Sequence, residues 1–164
     1  MSLVSLTFSV AGDVQLDRAL SLASKNIKNI FGIAGPDIRD DFLQNEQEQF
    51  RTEGGHGSGG WQDLSPAYAA EKAKHYPGAP ILVRTGALRS SLTRESDQNF
   101  IYRAQPLTLT LGTRVPYGVY HQKGGPDLPV RKPIELIEAQ KRRWMKLMQE
   151  AIWKSGQGYE RVIL

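Results

Sequence analysis

The sequence predicts an α+β fold: a small antiparallel sheet packed by an N-terminal and a C-terminal amphipathic helix, with glycine-rich flexible loops between the elements. Three observations predict it. Apolar residues recur at Leu16, Leu20, Ala23, Ile27 and Ile30, the three- and four-residue spacing of one helix face. Leu107-Thr108-Leu109-Thr110-Leu111 alternates strictly, which puts the leucines on one side of a strand. A second helical pattern fills the stretch from Glu135 to Lys154.

Taken in order, Leu3 to Val10 alternates apolar and small polar residues and reads as a half-buried strand. Asp13 then stands where a helix N-cap is expected, ahead of the Leu16–Ile30 stripe. Gly32 and Gly35-Pro36 break that pattern, with Pro36 suited to the first position of a new helix. That second helix, Asp37 to Arg51, carries only Ile38, Phe42, Leu43 and Phe50 as large apolar residues, which predicts a surface helix or one resting against another subunit. Residues 53–60 are glycine-rich and predict a mobile loop, which Trp61 and Leu64 would staple to the body.

Ser65 as N-cap and Pro66 in the first turn open a short helix through Lys72. Pro77-Gly78-Ala79-Pro80 is a turn, and Thr85 is the expected cap of another short helix bearing Leu88 and Leu92. Phe100 to Arg103 pairs with Leu107 to Leu111 across Ala104-Gln105-Pro106 as a hairpin. Pro116 to Gln122 is a short helical segment, and Gly124 to Asp127 a second flexible loop. Pro129 and Pro133 keep the chain between them extended, as an edge strand or a docking segment. In the last helix Leu136, Ala139, Trp144, Leu147, Met148, Ala151 and Ile152 form the apolar stripe, beside a basic side of Lys141, Arg142, Arg143 and Lys146. The organisation expected is one domain over residues 1–154 and a disordered tail over 155–164.

The chain has 164 residues, enough for one domain with a core. It contains no cysteine, which excludes disulfides, thiol chemistry and cysteine-ligated metals. No apolar run approaches the roughly 20 residues of a membrane span, and no basic-then-apolar signal peptide opens the sequence. The net charge of +4 is uneven: residues 1–60 hold five Lys and Arg against eight Asp and Glu, and residues 61–164 hold sixteen against nine. Such an excess is most simply a solvated basic face, although it also suits an acidic protein or nucleic acid.

Searches for chemistry end without a reactive set. His56, His75 and His121 are too scattered for a sequence-local metal motif. Asp40, Asp41, Glu46 and Glu48 cluster on the thin second helix and read as solvated acids, since a catalytic pair needs burial to separate its pKa values. Gly55, Gly57 and Gly60 match G-x-G-x-x-G spacing, but a polar helix precedes them instead of a strand. Ser58 lacks the elbow of a hydrolase nucleophile, since His56 stands where glycine is required. No catalytic residue, metal ligand or cofactor is expected, and Trp61, Arg89, Tyr117, Tyr120, His121 and Arg131 are the candidate interface residues.

Trp61, Leu64, Ser65, Pro66 and Lys72 form a tryptophan followed by Leu-Ser-Pro and a short helix with a lysine. Leu82, Thr85, Gly86, Leu88 and Ser91 form a Leu–x–x–Thr-Gly-x-Leu–x–x-Ser unit, and Gly112-Thr113 precedes the box Tyr117 to Gly124. In this order and spacing these motifs resemble the phage virion morphogenesis (tail-completion, Mu-like protein G) family, in which the last box reads Tyr-Ala-x-x-His-Gln-x-Gly. Gly118 replaces the usual alanine, Lys123 stands where an aromatic is common, and Pro129 to Ile134 matches a proline–arginine segment only in part. The resemblance runs from about Phe50 to Ile152. It implies a non-enzymatic virion component, built in the bacterial cytoplasm, that completes the tail or joins it to the head. Its implied partners are other copies of itself, arranged in a ring, and tail or head–tail connector proteins, with no membrane. The alternatives are a small DNA-binding protein using the basic C-terminal helix, and a hydrolase whose site is assembled in space.

Overall fold

A computed structural model of the chain describes residues 14–57 and 59–154. The expected strand Leu3–Val10, the cap Asp13, Ser58 and the tail from Ser155 lie outside the described residues. The elements run α1 (Val14–Ile27), α2 (Ile30–Arg51), α3 (Pro66–His75), α4 (Ala87–Thr93), β1 (Phe100–Gln105), β2 (Thr108–Thr113), α5 (Gly118–Lys123) and α6 (Glu138–Ile152). This is an α+β fold, with six helices and a two-stranded antiparallel sheet among the described residues.

The long helix α2 is the centre of the molecule, which corrects two expectations at once. Gly32, Gly35 and Pro36 do not break it; they lie inside one helix. Pro36 lacks the N–H that would bond the Gly32 carbonyl, a cost that burial of the flanking helix offsets. Gly35 is needed where it is, because a Cβ there would stand 2.9 Å from the Tyr102 hydroxyl and 3.4 Å from the Ala104 Cβ. The hairpin therefore approaches the helix axis closely at this point.

Nor is α2 a surface helix. Ile38, Phe42, Leu43 and Phe50 are buried, and so are Asn45, Glu46 and Gln49. The inward face is half polar, so an apolar count undervalues it. These polar groups tie neighbouring segments down. Asn45 donates to the Asp41 carbonyl at 2.6 Å and accepts from Arg143 at 3.0 Å, while Gln49 donates to the Lys132 carbonyl at 3.1 Å.

Two apolar clusters flank α2. One joins Phe42, Phe50, Trp61, Val83, Leu88, Leu92, Phe100 and Val115. The other joins Ala34, Ile38 and Ala151, with Leu109, Leu111, Trp144, Leu147 and Met148 packed against it. Buried apolar area of this kind contributes roughly 25 cal/mol per Å². The packing of the sheet differs from expectation: α2 lies against the hairpin, α6 lies on α2, and α1 rests on α6 and α2. Leu136 and Ala139, expected in the α6 stripe, are exposed.

Register in the hairpin runs Phe100 opposite Thr113 to Gln105 opposite Thr108, so Pro106 and Leu107 make the turn and Leu107 leaves the strand it was assigned to. Helix α1 turns Ala19, Ala23 and Asn26 inward. Asn26 donates to the carbonyls of Ile152 and Lys154, both at 2.9 Å, and so caps the C-terminal end of α6. The rest of the α1 stripe faces outward, with Leu20 52% exposed and Leu16 and Ile27 also open.

The glycine-rich stretch folds back on the body. The Gly54 N–H bonds the Gln49 carbonyl at 2.8 Å and the Trp61 N–H bonds the Glu53 carbonyl at 2.6 Å. Ser65 caps α3 through its hydroxyl, accepting from the Tyr68 N–H at 3.4 Å, with Pro66 in the first turn. In α4 the cap is Gly86 instead of Thr85, because the chain enters the helix at φ 84°, a left-handed conformation that glycine adopts without strain. Pro129 to Pro133 forms no strand; Arg131 and Pro133 are buried within the chain's own body.

Candidate functional site

The motif residues that carried the resemblance interlock. Thr113 and Ser91 hydroxyls are 2.6 Å apart, Ser91 donates to the Leu88 carbonyl, and Thr113 Oγ1 accepts from the Val115 N–H. Since Ser91 spends its proton on Leu88, Thr113 must donate to Ser91. The Thr-Gly-x-Leu-x-x-Ser unit and the Gly-Thr pair are thus one hydroxyl chain joining α4 to β2. Gln122 completes a similar clamp: its amide accepts from the Ile134 N–H and donates to the Ile134 carbonyl.

Trp61 lies in the core at 9% exposure, edge-on to Phe50 at 5.3 Å, and its Nε1 donates to the Lys132 carbonyl at 3.0 Å. Arg131 is also inside, at 5% exposure. Its Nε donates to the Gln62 carbonyl at 2.6 Å and Nη2 to the Asp63 carbonyl at 2.8 Å. Together these bonds pin the 129–133 segment to the loop that precedes α3.

Above Arg131 a cleft of about 420 Å³ opens. Helix α3 supplies Tyr68 and Lys72, with Leu64 before it and Tyr76 at its end. The turn into α4 supplies Leu82, Val83, Arg84 and Thr85, α5 supplies His121, and its N-cap is Tyr117. Leu82 holds φ at 58°, a left-handed conformation that side chains of its kind rarely adopt. Arg84 stacks over the Tyr76 ring at 5.2 Å, and Tyr117 meets His121 edge-on at 6.3 Å.

The electrostatics of the cleft are cationic. Lys72 is 6% exposed and its ammonium donates to the Pro80 carbonyl at 2.5 Å. Burial pushes its pKa below the ordinary lysine value, opposed by the Glu53 carboxylate. Burial and the neighbouring Arg131 likewise lower the pKa of His121, whose Nδ1 is buried without a hydrogen-bond partner.

Of the candidate interface residues, then, Tyr117, His121 and Arg131 come together at this cleft. Tyr120 is exposed on α5 beside it, with Val119 and Val130 also exposed nearby in sequence. Arg89 lines a separate open recess of about 890 Å³ with Arg51, Arg94 and Asp97. Tyr68, Lys72, Tyr76 and Arg84 were not singled out as interface residues, and only their meeting in space reveals them. Glu46, read as a solvated acid, is a correction: it is 2% exposed, and burial pushes its pKa up to about 9.

Among the described residues no group of three or more His, Asp or Glu side chains is placed to hold a metal ion, and no helix is long and apolar enough to cross a membrane. The basic side of α6 is partly engaged: Arg143 pairs with Asp41 at 2.6 Å and Lys141 with Glu138 at 2.6 Å.

Fold and cleft define a small α+β scaffold whose short motifs lock loops together and leave a cation-floored, tyrosine-rimmed cleft and an outward apolar helix face. The family model of the phage virion morphogenesis family matches residues 14–153, and the chain belongs to that family. It is a phage structural protein with a role in virion morphogenesis. No curated protein and no solved structure matches the chain.

Proposed function

We propose that the protein completes the tail or joins it to the head, assembling in the host cytoplasm with copies of itself and with tail or connector proteins. The observation that supports this reading, beyond family membership, is the outward turn of large apolar side chains: Leu16, Leu20 and Ile27 on α1, and Val119 and Tyr120 on α5 with Tyr117 at its N-cap. Apolar faces on two separate helices suit two different contacts, and a heterologous contact repeated around an axis closes a ring. A ring would present one set of faces to neighbours of its own kind and leave another for the tail.

Light scattering on the purified full chain, with and without duplex DNA, tests it. A closed oligomer larger than a dimer, with weak and sequence-blind DNA binding, is the expected result. A strict monomer that binds duplex DNA with a steep salt dependence would support the DNA-binding alternative instead. Arg143 and Lys141 already have carboxylate partners, which leaves that helix fewer free cations for phosphate contacts.

A further inference from the structure

The cleft contains an imbalance that its scaffold role does not explain. Lys72 and Arg131 come from distant parts of the chain and are both buried, yet among the described residues neither has a carboxylate within ion-pair distance. Arg131 is bonded through backbone carbonyls, its Nε to Gln62 and its Nη2 to Asp63. The Lys72 ammonium has three donors and one acceptor, the Pro80 carbonyl. Glu53, whose carboxylate acts on Lys72, accepts the Ile81 N–H at Oε1 at 2.6 Å. Beside these cations His121 Nδ1 has no partner either. Asp63 acts on Arg131, as Glu53 does on Lys72, only from beyond ion-pair distance; buried cations without a carboxylate in direct contact are costly, and an anion entering the cleft would relieve that cost at both residues together.

The walls say what carries the anion. Tyr68, Tyr117 and Leu82 present apolar surface around the cations, and a cleft of about 420 Å³ takes a side chain or two and excludes a duplex. We infer that the cleft is a receptor for a carboxylate borne on an apolar peptide segment of a neighbouring virion protein, with Lys72 and Arg131 as the charged floor and Tyr68 and Tyr117 as the grip. The assignment of the segment to a virion neighbour rests on the docking role proposed above; the carboxylate chemistry does not. Charge-assisted hydrogen bonds to both cations give orientation, and tyrosine rings give contact area at low entropic cost.

Fluorescence anisotropy with labelled peptides and the full chain tests the site. One pair carries Gly-Ser-Gly-Leu-Phe with a free or an amidated C-terminus; a second pair is amidated and carries Leu-Glu-Phe or Leu-Gln-Phe between glycines. Binding is expected for at least one carboxylate peptide, with its neutral twin weaker by roughly tenfold, the value of one charge-assisted bond. The pair that discriminates tells whether a chain end or an acidic side chain is the source. Lys72→Met should weaken the carboxylate peptide toward its neutral twin, and Tyr117→Ala, at an exposed rim, should weaken both twins without unfolding the chain.

Bound carboxylate should also raise the His121 pKa, read from imidazole NMR shifts, because Lys72, Arg131 and Tyr117 offer the ring no negative charge of their own. Equal binding of charged and neutral twins, or no binding by any peptide up to about 1 mM, would overturn the inference, as would displacement of the peptides by duplex DNA. If peptides fail while particles still require the protein, only this inference falls; if they bind and particles do not require it, the site stands and the virion role falls.

Discussion

Replacing Glu46 by glutamine is expected to stabilise the protein at neutral pH by about 3 kcal/mol, or roughly 6–12 °C in melting temperature for a chain of this size. The carboxyl is buried on the inner face of α2 with Oε2 unpartnered, and burial alone moves its pKa from 4.5 to about 9. In the folded protein it is therefore protonated at pH 7, whereas the unfolded chain releases that proton above pH 4.5. Folding must take the proton up, so the favourable state is fully present below 4.5 and is lost as pH rises toward 9, at about 1.4 kcal/mol per pH unit.

Glutamine keeps the shape of the protonated acid, with an amide N–H2 in place of the O–H, and has no proton to acquire. Denaturant titrations at pH 5, 7 and 9 check this. Wild type should lose stability across that range relative to Glu46→Gln, and the two should converge near pH 4.5. Parallel pH profiles would show that the carboxyl has found solvent or a partner.

The second large effect concerns Trp61. Truncation to alanine should destabilise the isolated chain by about 3–5 kcal/mol, the usual range for a buried tryptophan, and Trp61→Phe by about 1–2 kcal/mol for the lost bond to the Lys132 carbonyl. The ring holds Phe50, the glycine loop and the 129–133 segment at one point. Gly54 beneath it has φ +86°, and a Cβ there would come within 2.5 Å of the indole, so Gly54 and Trp61 specify each other. Thermal melts on monomer-concentration samples separate this from an interface role. An interface tryptophan would leave the isolated chain's melting unchanged and alter only assembly.

These two positions show where the sequence could be read and where it could not. The hairpin announces itself through alternation of Leu109 and Leu111 with threonines, and α3 through Ser65 and Pro66, because those signals are local. Helix α2 hides its importance. Asn45, Glu46 and Gln49 occupy inward positions that a hydrophobicity pattern reserves for leucine, and Gly35 and Pro36 imitate a boundary. Gly35 is there for the close approach of Tyr102, a fact about a strand far along the chain.

The cleft is illegible for the same reason. Lys72 sits in an ordinary amphipathic helix and Arg131 in a proline-bounded coil, and nothing periodic links them. Arg131 is a candidate interface residue in a segment whose prolines suit an edge strand or a docking segment, yet its guanidinium is inside, holding the Gln62 and Asp63 carbonyls. The periodicity of Leu16, Leu20, Ala23 and Ile27 predicts one inward stripe, yet only Ala23 of them is buried, beside Ala19 and Asn26, and the larger side chains face outward.

The proposed role is tested most directly by deleting the coding sequence from the parent phage or prophage and viewing the induced lysate by electron microscopy. Heads and tails that accumulate separately, or tails left unfinished, with joining restored by the wild-type chain supplied in trans, are the predicted result. Complete, joined particles in normal numbers without the protein would contradict it.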